Sequence, residues 1–131
     1  MKVRKLALTG TGFKLRDTPE KSTAWYVVTW APAPPFLPPG ARFAVLQGDP
    51  GQAGIYTIRL ELPAGYVIRP HFHPTDEHIT VGGFITATAQ AHHYAAARAK
   101  TVVQVHGEGP FAITYVRAAD DPRAAAPRAR Q

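Results

Sequence analysis

No apolar stretch in this sequence runs far before a proline or a glycine stops it. Thirteen prolines and eleven glycines punctuate 131 residues. That excludes a mostly helical fold, because proline removes a helix hydrogen bond and glycine adds backbone entropy. Between the breaks the pattern is short and alternating. In residues 55–62 (IYTIRLEL), Tyr56, Ile58, Leu60 and Leu62 fall on one side of an extended chain. Thr57, Arg59 and Glu61 fall on the other.

Further strands are expected at 25–30 (WYVVTW), 42–46, 66–73 (YVIRPHFH), 77–81, 84–89, 101–105 and 111–116. Gly48-Asp49-Pro50-Gly51 and Pro63-Ala64-Gly65 read as turns. Residues 31–40 (APAPPFLPPG) form a stiff extended connector that Trp30, Phe36 and Leu37 can pin to the body. Only 95–100 (AAARAK) looks helical, and it is too short to stand alone. Many short strands with turns between them predict an antiparallel sandwich or barrel. A hydrophobic content of 45% is enough for a core, and the length suits one domain.

The net charge of +6 suggests a nucleic-acid partner, but its distribution argues against one. Residues 1–21 sum to +4 and residues 117–131 to +2, while 22–116 are neutral. No stretch interleaves aromatic and basic residues as a single-strand binding face does. The expected layout is a basic N-terminal segment over 1–24, a barrel over 25–118 and a disordered Ala/Pro/Arg tail over 119–131. Leu6-Ala7-Leu8 is too brief for a signal sequence, and no run approaches the ~20 apolar residues of a membrane span. A cytoplasmic protein with neither membrane nor nucleic acid as partner is expected. With no cysteine, thiolate chemistry and zinc–thiolate sites are excluded.

All six histidines lie between 71 and 106. His71 and His73 are two apart, so on a strand both imidazoles project to one face and can share a metal ion. Pro74-Thr75-Asp76 favours a turn that returns Glu77 beside them. Two imidazoles and a carboxylate around one point, with open positions, is the donor set of non-heme iron oxygenases.

Gly65-x5-His71-x-His73-x3-Glu77 resembles the first motif of the cupin superfamily, G-x5-H-x-H-x3,4-E-x6-G, and the likeness extends over roughly 30–122. It implies a double-stranded β-helix (jelly-roll) barrel holding one divalent transition metal on His71, His73, Glu77 and one further histidine. The second motif, G-x5-P-x-G-x2-H-x3-N, survives in spacing from Gly82 and places His93 at the ligand position. Thr88, Gln90 and Ala97 stand where that motif has Pro, Gly and Asn. His92 is a rival, since neighbours on a strand face opposite ways. Motif one ends at Gly82 or Gly83, where motif two begins, so the hairpin that normally separates them is missing. Missing strands expose backbone edges and interior apolar surface. A homodimer is therefore expected, with a second chain covering the gap.

Among the other candidates, His78 is expected at the surface and Asp76 in the solvated turn. His106 either lines the cavity as a proton relay or is a core histidine satisfied by backbone. Glu77 could leave the metal to act as base. The donor set suits Fe, Mn, Ni, Cu or Zn. Metal should be lost as pH falls through the histidine range near ~6.5. Two functions follow: a metal-dependent dioxygenase-like or isomerase-like enzyme acting on a small organic molecule, or a non-catalytic, metal-stabilised binding or sensing module.

Overall fold

The computed structural model describes residues 28–124 in full, and residues 5–9, 12–16 and 125 by their backbone. The opening segment contributes β1 (Lys5–Thr9) and β2 (Gly12–Arg16), an antiparallel pair in which Leu6 faces Leu15 and Leu8 faces Phe13. Then follow β3 (Ala31–Pro32), β4 (Arg42–Gln47), β5 (Gly54–Leu62), β6 (Val67–Phe72), β7 (Glu77–Thr80) and β8 (Phe84–Ala87). The last strands are β9 (His93–Ala96), β10 (Thr101–Gly109) and β11 (Thr114–Tyr115).

The strands from β3 onward form two antiparallel sheets, one of six strands in the order β3-β4-β5-β10-β7-β8 and one of three in the order β11-β6-β9. From β5 on, the chain passes back and forth between them, so motifs far apart in sequence meet at the interface. This is the expected all-β jelly-roll. Tyr56, Ile58, Leu60 and Leu62 on β5 are buried, and Thr57, Arg59 and Glu61 less so, as the alternation predicts. They pack with Val105 of β10 against Ile68 and Tyr115 of the small sheet. Each fully buried side chain of this size contributes roughly 1.5–3 kcal/mol.

Only residues 81–83 separate β7 from β8. Among the described residues no strand lies between those two, in keeping with the hairpin expected to be missing at Gly82 and Gly83. The proline-rich connector is pinned as expected: Leu37 is buried, Phe36 packs on the core, and Trp30 lies under the Arg42 guanidinium at 5.4 Å.

Several expectations are corrected. Of residues 25–30, 25–27 lie outside the described residues and 28–30 form no strand. The helical reading of 95–100 fails, because Ala95 and Ala96 belong to β9 and Ala97 exchanges backbone hydrogen bonds with Gly65 and Tyr66 at 2.7 and 2.9 Å. Alanine's helix preference is a few tenths of a kcal/mol per residue, and sheet pairing outweighs it. The strand expected at 111–116 shrinks to Thr114–Tyr115. Upstream of it, the Phe111 amide bonds to Pro50 at 2.6 Å and the Ala112 carbonyl serves a histidine side chain. Residues 119–125, expected to be disordered, complete two 3-10 turns over Ala118–Asp120 and Pro122–Ala125. There Asp121 accepts from both the backbone and the guanidinium of Arg123. Residues 126–131 lie outside the described residues.

Candidate metal centre

The first motif begins with a backbone requirement. Gly65 sits at φ 81°, a left-handed conformation costly for any residue with a Cβ, and it closes the turn from Pro63 that launches β6. His71 lies near the end of β6 and His73 just beyond it, while Glu77 opens β7 and His93 opens β9. Strand pairing does the assembly. His71 is the cross-strand partner of His93 on β9 and of Tyr115 on β11. Directly paired residues present their side chains on one face. That settles the choice between neighbours. His93 points inward, while His92 is exposed and stacks on the Phe72 ring, centroids 5.3 Å apart.

His71, His73 and Glu77 are nearly inaccessible, at 3%, 4% and 5% exposure. Each imidazole is anchored through Nδ1. His71 Nδ1 lies 2.7 Å from the Arg69 carbonyl, His73 Nδ1 2.8 Å from that of Ala112, and His93 Nδ1 3.0 Å from that of Ala91. A carbonyl only accepts, so Nδ1–H donates and the Nε2 lone pair is left free. One ligand atom from each of the three histidines lies within 4.8 Å of the others. Glu77 Oε2 adjoins this group, 3.1 Å from His73 Nε2 and 3.9 Å from His93 Nε2.

In this arrangement electron-rich atoms converge. His73 Nε2 and His93 Nε2 lie 3.2 Å apart, each tautomer having its proton on the far nitrogen. Lone pairs packed this closely require either a proton or a cation among them. The two buried histidines are pushed in opposite directions. Burial dominates at His71 and pushes its pKa down to about 4, so the ring is neutral at neutral pH and available as a ligand. At His73 burial also favours the neutral ring, but a proton on Nε2 is hydrogen-bonded and charge-stabilised by Glu77, which outweighs burial, and the pKa rises. Three imidazole nitrogens and a carboxylate oxygen fit a divalent transition ion, whose positive charge supplies what the lone pairs lack.

The histidine group lies at one wall of a cavity of about 540 Å³ between the sheets. The ring of Phe111 stacks on His73 with centroids 5.8 Å apart and planes at 19°, which holds that imidazole edge-on to the group.

His106 is not part of this site. On β10, Val103 and Val105 line the cavity, so His106 takes the opposite face with Gln104. There it pairs across the strands with His78, rings stacked at 4.9 Å, and His78 Nδ1 bonds the Thr86 hydroxyl at 3.1 Å. Both readings of His106, cavity relay and buried core histidine, are therefore replaced by a partly exposed outer pair. His78 takes the outward position expected of it.

Two supporting residues went unrecognised or underweighted. Asp76 Oδ1 accepts the Ala89 amide at 2.8 Å and ties the 88–92 connection, and with it His93, to the motif-one turn. Gly107 lies opposite Glu77 on β10, where a Cβ would stand 2.7 Å from the Asp76 carbonyl and 3.2 Å from the Tyr56 hydroxyl. A glycine inside an otherwise good strand was the available signal, since it marks close backbone approach.

No protein-family model matches the chain, and no curated protein matches it. Among solved structures, it is similar to the crystal structure of a putative acetylacetone dioxygenase from Methylibium petroleiphilum PM1. The identity is 23%, the TM-score 0.47, and the match covers 81% of this chain and 90% of that one. That likeness is too distant to transfer an activity. Among the described residues, no helix is long and apolar enough to cross a membrane.

Proposed function

We propose that this protein binds one divalent transition metal (Fe, Mn, Ni, Cu or Zn) on His71, His73, His93 and Glu77, and uses it for dioxygenase-like chemistry on a small organic molecule. The observation that carries this reading is the convergence of three backbone-oriented Nε2 lone pairs and a buried carboxylate at the wall of an apolar cavity. A bound metal would supply Lewis acidity or an oxygen-binding position. The chain's own residues do the rest: the apolar walls exclude water and position the substrate, and Glu77, the one carboxylate lining the cavity among the described residues, is placed to accept a substrate proton.

Elemental analysis of the purified protein tests this. About one metal per chain, absent from a His71→Ala/His73→Ala double variant, is the expected result, with oxygen uptake in the iron- or copper-loaded form. No metal after reconstitution with several divalent ions would overturn it. Metal with stabilisation but no oxygen consumption would favour the alternative of a metal-stabilised binding or sensing module.

A homodimer and a cytoplasmic location, with neither nucleic acid nor membrane as partner, complete the proposal. The dimer is supported by the two edge strands beside the short 88–92 connection. Phe84 and Ile85 on β8 are 66% and 60% exposed, and Tyr94 on β9 is 69% exposed. A monodisperse monomer at micromolar concentration in light scattering would rule the dimer out.

A further inference from the structure

The cavity's lining narrows what can enter it. Leu60, Ile68, Ile79, Val103 and Ile113 make up much of its wall, and Val81 and Ile85 lie at the exposed side. Among the described residues its ionisable groups are the three histidines, Glu77 and Tyr94, and neither a lysine nor an arginine lines it. Of the described cations, Arg69, Arg98 and Arg117 are exposed and outside the lining, and the other four have partners elsewhere. Arg42 and Lys100 both approach Glu61, at 3.3 and 3.6 Å, Arg59 donates to Gln104, and Arg123 pairs with Asp121. Among the described residues, then, no side-chain cation is offered to an anion in this cavity.

We infer that the cavity takes a molecule with a single oxygen-donor head directed at the histidine–carboxylate group and an uncharged apolar body, and that it rejects ligands bearing a second anionic group. This rests on the metal reading above. A divalent ion beside one carboxylate leaves one net positive charge. A single head, neutral or singly ionised, is matched to that charge. A second carboxylate or a phosphate would be stripped of water against leucine and isoleucine with no partner, which costs far more than it returns. Dicarboxylic 2-oxo acids are excluded as co-substrates on the same ground, and phosphate esters as substrates.

Calorimetry on the full chain, zinc-loaded and metal-free, with benzohydroxamate and 4-carboxybenzohydroxamate tests this. The two probes share one metal-binding head and differ by one remote carboxylate. Benzohydroxamate is expected to bind the zinc form at least about 30-fold more tightly than its carboxylated partner. A rim cation, introduced as Val81→Arg or Ile85→Arg, should recover at least about 5-fold for the carboxylated probe. Equal, metal-dependent binding of both probes would overturn the inference and leave the metal reading standing. Discrimination unchanged in both arginine variants would overturn its electrostatic basis. Failure of both probes to distinguish zinc-loaded from metal-free protein would overturn the metal reading and the inference with it.

Discussion

The large sheet has histidines against both its faces: β7 and β10 turn His78 and His106 outward, while on the inner face Glu77 of β7 meets histidines delivered by the small sheet, and the two faces treat them differently. On the inner side, Glu77 meets His71, His73 and His93, and every imidazole has its Nδ1 committed to a backbone carbonyl. On the outer side, His78 and His106 stack on each other, and His78 bonds a threonine hydroxyl. A carbonyl can only accept, so it dictates the tautomer. A hydroxyl can donate or accept, so it dictates nothing. His71 and His73 are also buried, and Phe111 stacks on His73, whereas His78 and His106 are both half-buried. Residue type is therefore shared between the faces. What separates the inner group from the outer pair is rigid orientation of the free nitrogen.

The largest effect should come from breaking the inner set. His71→Ala with His73→Ala should remove stoichiometric metal, a loss of at least about 100-fold in affinity, and abolish any metal-dependent rise in melting temperature. Retention of metal by that variant would mean the centre lies elsewhere.

Acid should act next, through His71. Its folded pKa of about 4 lies below the unfolded value of 6.5, so the unfolded chain binds the proton first. Its contribution is present above the unfolded pKa and is lost as pH falls from 6.5 towards 4, about 3 kcal/mol in metal-free protein. His73, whose pKa is raised, acts with the opposite sign and offsets part of this, since its contribution persists in acid and is lost as pH rises through its folded pKa. Denaturant melts across pH should slope downward into acid, and His71→Asn should flatten the slope. An unchanged slope in that variant would assign the acid sensitivity to other groups.

Gly107→Val sharpens the comparison from beneath Glu77. The new side chain meets the Asp76 carbonyl, and a loss of roughly 1–3 kcal/mol in urea unfolding is expected. Asp76→Ala should cost less, about 10-fold in metal affinity, because it frees the segment that delivers His93 without touching a ligand. The smallest effect belongs to the outer pair. His78→Ala with His106→Ala should leave metal content unchanged and shift stability by no more than about 0.5 kcal/mol. Metal loss in that variant would erase the distinction between the two faces.

Much of this was legible beforehand, for local reasons. The alternation in 55–62 predicts which side of β5 is buried, because side-chain direction on a strand has period two. His71, His73 and Glu77 are close in sequence, so a strand end and a turn suffice to gather them. The failures are equally local in origin. Residues 95–100 have helical composition, but their backbone partners lie some thirty residues earlier, at Gly65 and Tyr66. Both readings of His106 turn it inward, because Val102 shares its side and blurs the alternation of Val103 and Val105 against Gln104 and His106.

By itself, then, the sequence determined an all-β chain, a turn requiring Gly65, and the grouping of His71, His73 and Glu77. Those properties depend on backbone sterics and strand period within a dozen residues. Only the tertiary structure decided that His93 rather than His92 completes the group, that His106 faces away, and that the cavity wall holds no cation among the described residues. Each of these depends on the register between strands distant in the chain. A one-residue change in register exchanges the two faces.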